Sequence, residues 1–143
     1  MQVREMMTPN AECTTPDATI KEAAERMKAL DVGSLPVCEA DRLIGMITDR
    51  DITIRSAAAG RDPKTHRVRE VMSADVVCCF DDQSVSEATE KMRENQIRRL
   101  PVLNRSKKLV GIISLGDLAV ETRDDEMVGK ALESISEPAT PRR

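Results

Sequence analysis

The chain has 143 residues, with 22 Lys and Arg against 25 Asp and Glu for a net charge of −3, and 40% of it is hydrophobic. That length allows one domain or two small ones with a real core, and the charge argues against a protein whose main work is coating nucleic acid. No apolar run approaches the roughly 20 residues needed to cross a bilayer, and Met1-Gln2-Val3-Arg4-Glu5 opens no apolar signal segment, so a cytoplasmic protein without membrane attachment is expected.

From the N-terminus, Val3-Arg4-Glu5-Met6-Met7 precedes a short extended piece, Ala11 to Thr14, and a Pro/Asp turn. Thr19 with Glu22 three residues on has the spacing of a capping box, in which each residue satisfies a backbone N–H of the other. Behind it Ile20, Ala23, Ala24, Met27 and Leu30 recur at helical intervals. Leu35-Pro36-Val37-Cys38, a polar turn, and Leu43-Ile44-Gly45-Met46-Ile47-Thr48 read as a β-hairpin. A helix is expected from Asp49 to Ala59, followed by a linker over 61–67 that contains His66, the only histidine.

The pattern then returns. Val68-Arg69-Glu70-Val71-Met72 repeats the opening at an offset of 65, and the same offset takes Cys13 to Cys78, Thr19-Ile20 to Ser84-Val85, Met27 to Met92 and Leu35-Pro36-Val37 to Leu100-Pro101-Val102. After the polar turn at Leu103 to Lys108 the offset becomes 66, pairing Gly45 with Gly111 and Asp51 with Asp117. A one-residue insertion is tolerated best in such a turn. The fold class is therefore α/β (α+β), two tandem β-α-β-β-α units over 1–60 and 68–122, each with too small a core to stand alone, so the copies are expected to pack on each other. In the tail, 123–143, Met127, Ala131, Leu132 and Ile135 suit an amphipathic helix, while Pro138 and Pro141-Arg142-Arg143 suggest fraying.

The duplicated unit, with its "LPV" strand and the runs Gly45-Met46-Ile47-Thr48-Asp49-Arg50-Asp51 and Gly111-Ile112-Ile113-Ser114-Leu115-Gly116-Asp117, resembles the CBS domain over residues 3 to about 120. A tandem pair of these is a Bateman module. The resemblance implies two units packed pseudo-symmetrically sheet to sheet, no catalytic activity and no obligatory cofactor. It implies an adenosyl ligand (AMP, ADP or ATP) in a cleft between the domains, a homodimer, and control of an unidentified partner protein.

Ligand chemistry fits particular residues within that resemblance. One carboxylate accepts from both hydroxyls of a ribose, a task for Asp51 and Asp117. Thr48 and Ser114 stand at strand-to-helix junctions, where an anionic phosphate is favoured. The same spacing also suits plain N-caps with acids in the first turn, and that alternative stays open. Phosphates call for cations, supplied by Arg50 in the first copy and by Arg98 and Arg99 ahead of Pro101 in the second. Because Gly33 and Ser34 occupy the positions of Arg98 and Arg99 in the first copy, the two sites are chemically unequal. The first strands, with Thr14 in one copy and Cys78 and Phe80 in the other, are expected to read the adenine.

The spacing of Cys13 and Cys38, at the ends of two neighbouring strands, allows either a disulfide under oxidising conditions or two small buried hydrophobes. One histidine and no C-x-x-C leave too few ligands for a zinc framework. The rival to a nucleotide sensor is a dimerisation or protein-interaction module that has lost its ligand, with Cys13 and Cys38 as a redox element.

Overall fold

The computed structural model describes residues 1–121 and 124–138. In chain order its elements are β1 (Thr8–Pro9), α1 (Ile20–Leu30), β2 (Ser34–Glu39), β3 (Arg42–Thr48), α2 (Asp49–Asp51), β4 (Cys79–Phe80), α3 (Val85–Asn95), β5 (Arg99–Leu103), β6 (Leu109–Ser114), α4 (Leu115–Glu121) and α5 (Asp125–Ser136). This is the mixed α/β architecture expected from the repeat. None of the described helices is long and apolar enough to cross a membrane. Thr122, where the last helix of the repeat was expected to end, and Pro141-Arg142-Arg143 lie outside the described residues.

Two compact units are formed, and they are out of phase with the sequence repeats. The first unit is Glu12–Val76; the second joins Met1–Ala11 to the chain from Val77 onward. Each opening segment packs with the body of the other repeat. Val3 N–H donates to the Gln83 carbonyl at 2.9 Å, and 65 residues later Val68 N–H donates to the Ala18 carbonyl at the same distance. β1 pairs antiparallel with β6, and Ser73 exchanges backbone hydrogen bonds with Met46 of β3. These crossings explain the repeated glycines. A Cβ at Gly111 would stand 2.6 Å from the Thr8 carbonyl oxygen, and one at Gly45 would stand 2.8 Å from that of Ser73. Linker residues 61–67 also join the first unit, where the Pro63 and His66 carbonyls accept from Lys21 and Ile20 at the start of α1.

In the first unit β2 and β3 form an antiparallel hairpin, with Thr14 bridged in parallel to Val37. Ile20, Ala23, Met27, Leu35, Val37, Ile47, Val68 and Val71 make its core. The second unit has a four-stranded sheet in the order β1-β6-β5-β4, with β4 parallel to β5. Its core joins Val3 and Met6 to Val85, Ala88, Met92, Leu100, Val102 and Ile113, and to Ala131 and Ile135 of α5.

Three local expectations need correction. The helix expected over Asp49 to Ala59 is α-helical only through Asp51; Ile52–Ala57 is π-helical, with Ala58 N–H bonded to the Thr53 carbonyl. Leu30 and Leu132, assigned to apolar helix faces, are exposed. The first strands are also shorter than expected, because only Thr14 and Cys79–Phe80 have a partner strand within reach.

Candidate functional site

At the end of β3 in the first unit, Thr48 N-caps α2. Asp51 N–H donates to Thr48 Oγ1 at 3.0 Å, and Thr48 N–H donates to Asp51 Oδ2 at 2.9 Å. The second unit repeats this at the end of β6, with Asp117 N–H to Ser114 Oγ at 3.1 Å and Ser114 N–H to Asp117 Oδ2 at 2.9 Å. Both pairs are reciprocal capping boxes of half-buried residues. One oxygen of each carboxylate is thereby engaged, and the second oxygen of Asp51 lies 3.9 Å from Arg55 Nε. Each hydroxyl accepts a bond and keeps its own hydrogen to donate.

The surroundings of the two boxes differ. In the second unit, strand register sets Arg99 directly across from Ser114, and Leu115 N–H donates to the Arg98 carbonyl at 2.8 Å. Both arginines are exposed, and the buried ring of Pro101 continues β5 behind them. In the first unit Ser34 stands across from Thr48, and Asp49 N–H donates to the Gly33 carbonyl at 2.9 Å. The Asp49 carboxylate leans over that glycine, with Oδ2 3.0 Å from where a Cβ would be, and it accepts the Arg50 N–H at 2.8 Å. Arg50 is thus flanked by the acids Asp49 and Asp51, whereas in the second copy the position of Asp49 is taken by Leu115 and that of Arg50 by Gly116.

The first strands are held more firmly than the sequence suggested. Thr14 is buried, its N–H donating to the Pro36 carbonyl and its own carbonyl accepting from Cys38. The Cys13 carbonyl, next to Thr14, accepts from Arg26 at 2.7 Å and the Cys78 carbonyl from Lys91 at 2.6 Å, so a cation is already bonded to the backbone at each first strand. Arg26 and Lys91 escaped the sequence reading, although the offset of 65 pairs them. Phe80 carries the Arg105 guanidinium over its ring, 4.2 Å from the centroid, and Arg105 is paired with Asp82 at 2.8 Å.

Cys13 and Cys38 are free thiols in this structure. Burial, reinforced by the neighbouring Cys13 thiol, pushes the Cys38 thiol up to about 12. His66 Nδ1 lies 2.9 Å from Glu70 Oε1, and this contact together with the Arg67 N–H holds the Glu70 carboxyl below its usual range. Among the described residues no cluster of three His, Cys, Asp or Glu side chains is arranged to hold a metal ion.

The family model described as CBS domain matches residues 3–57 and 68–124. The CBS domain-containing protein YhcV of Bacillus subtilis is 46% identical over 134 residues, covering 94% of each chain. A crystal structure of hypoxic response protein 1 with two coordinated zinc ions is similar at a TM-score of 0.77 and 37% identity, over 85% of this chain and 98% of that one. A hexameric CBS-CP12 protein from bloom-forming cyanobacteria is similar at a TM-score of 0.74 and 34% identity, over 85% of this chain and 67% of its own.

Proposed function

The chain belongs to the CBS-domain family, and from that premise we propose that it is a regulatory module whose second unit binds the phosphate-bearing part of an adenosyl nucleotide such as AMP, ADP or ATP. Tandem CBS domains are typically regulatory ligand-binding modules without catalytic activity. The observation that carries the ligand class is the pairing of Arg99 with Ser114 across β5 and β6, beside the Ser114/Asp117 box. A guanidinium, a hydroxyl with a hydrogen to donate and a carboxylate suit a sugar-phosphate: the first two take phosphate oxygens, and the last takes ribose hydroxyls. At the first unit's junction the Asp49 carboxylate repels a phosphate, so one site dominates.

Calorimetric titration with AMP, ADP and ATP tests this. A charge-assisted hydrogen bond contributes about 1.5–3 kcal/mol, so Arg99→Ala is expected to weaken binding by roughly tenfold or more while Arg50→Ala changes it less. Unchanged affinity in Arg99→Ala overturns the arginine's role. The absence of binding and of any thermal shift with every adenosyl compound leaves an interaction module.

Self-association belongs to the same reading, since hexameric proteins are among the similar structures; a homodimer is the form proposed here. A redox element is supported by the contact of Cys13 with Cys38. A disulfide oxidant such as oxidised glutathione would take two electrons from the two thiols, which lose two protons as the Sγ–Sγ bond forms. Two free thiols in the denatured oxidised chain are the expected count, and four would refute the bond.

A further inference from the structure

Cys13 and Cys38 both belong to the first unit, and they differ in what can reach them. Cys13, at the entry to the buried Thr14, is half-buried, whereas Cys38 in β2 is only 6% exposed. The backbone brings the two together. Thr14 is bridged to Val37; its N–H donates to the Pro36 carbonyl and its own carbonyl accepts the Cys38 N–H, each at 2.9 Å. Residues next to a facing pair project from the opposite side of the pleat, so Cys13 and Cys38 share a side, and the Cys13 thiol acts directly on that of Cys38. The charges around them are unequal: the Arg26 guanidinium is bonded to the Cys13 carbonyl at 2.7 Å, while Asp41 in the hairpin turn disfavours the Cys38 thiolate. The second copy keeps the outer half of this arrangement and lacks the inner one. The offset of 65 takes Cys13 to Cys78 and Arg26 to Lys91, which bonds the Cys78 carbonyl, but it takes Cys38 to Leu103.

We propose that Cys13 is the modification site at which an external disulfide first attaches, and that Cys38 is the resolving thiol that displaces the attached group. This rests on the redox reading above and assigns the order of its steps. In the first step the Cys13 thiolate attacks one sulfur of oxidised glutathione. A Cys13 Sγ–S bond forms, the glutathione S–S bond breaks, and one glutathione thiolate leaves and takes up a proton. In the second step the Cys38 thiolate attacks Cys13 Sγ, the Sγ–Sγ bond forms, and the second glutathione leaves in the same way. Two protein thiols are oxidised, and one glutathione disulfide is reduced to two thiols. Access sets the order, because a tripeptide disulfide can reach a half-buried sulfur but not one enclosed by β2 and its neighbours, whereas Cys38 has only to reach the sulfur beside it. Burial pushes the Cys38 thiol up to about 12, so its thiolate is scarce near neutrality and the second step is the slower one.

Time-resolved intact-mass measurement under oxidised glutathione tests the assignment on the full chain carrying Cys78→Ser, which removes the other half-buried thiol from the readout. This chain should pass through a form bearing one glutathione to a form bearing none, with the internal disulfide in place. Adding Cys38→Ser should halt it at the adduct, mapped to Cys13 by peptide mass spectrometry. Adding Cys13→Ser instead should slow glutathione uptake by tenfold or more. Loss of the attached glutathione should quicken as pH rises from about 7 to about 9, as attack by a thiol that titrates far above neutrality requires. An internal disulfide that forms while Cys13→Ser and Cys38→Ser take up glutathione equally, or while the adduct maps to Cys38, overturns this order and leaves the redox reading standing. An adduct on Cys13 that persists although Cys38 is present overturns Cys38 as the resolving thiol, and the disulfide with it. A chain that gains neither adduct nor disulfide overturns both.

Discussion

Thr48, Asp51, Ser114 and Asp117 show what a spacing can and cannot say. A hydroxyl followed three residues later by an acid fits both a ligand site and a helix cap, and the structure uses all four as caps. Ser114→Ala should therefore cost about 1 kcal/mol of stability in denaturant titration, apart from any effect on ligand. What the sequence could not carry was the environment: that Asp49 leans over Gly33, or that Arg26 and Lys91 occupy the Cys13 and Cys78 carbonyls, depends on side-chain directions rather than on order. The cysteines make a pH prediction. Burial pushes Cys38 up to about 12 and Cys79 up to about 11, against 9.0 for a free thiol. Above pH 9 the unfolded chain gives up protons that the folded chain retains, so stability should fall as pH rises from about 9 toward 11–12. In the same window the half-buried Cys13 and Cys78 should be alkylated by iodoacetamide before Cys38 and Cys79, as read by peptide mass spectrometry.

At the scale of elements, hairpins and helix starts were legible because they rest on local chemistry. Thr19 accepts from Glu22 N–H and Ser84 from Glu87 N–H, each at 3.1 Å, at the expected first turns of α1 and α3. The π-helical continuation of α2 was not legible, since no residue type marks a shift of hydrogen-bonding register. Gly45 and Gly111 were legible as equivalent positions, but their reason was not: each receives a backbone from the other repeat. Gly111→Ala would press a methyl group against the Thr8 carbonyl and should destabilise the chain by about 1–3 kcal/mol in denaturant titration, the usual cost of overpacking.

For the whole molecule, the repeat revealed two units of one fold but not which segments build each. Identical offsets are compatible with opening segments that stay with their own repeat or exchange, and only long-range contacts decide. Removing residues 1–11 should therefore leave the β2–β3 hairpin protected in hydrogen exchange and strip protection from β6, which loses its β1 neighbour together with the burial of Val3 and Met6. Equal loss in both hairpins would contradict this division.

The exchange also sets an order of events during synthesis on the ribosome. Residues 12–76 are contiguous, so the first unit holds all its parts once Val76 has emerged. Thr8 is made earlier still, yet its partner Ile112 follows 104 residues later. At about 5–20 residues per second that is a wait of roughly 5–20 s. A segment made before the first unit is among the last to find its place.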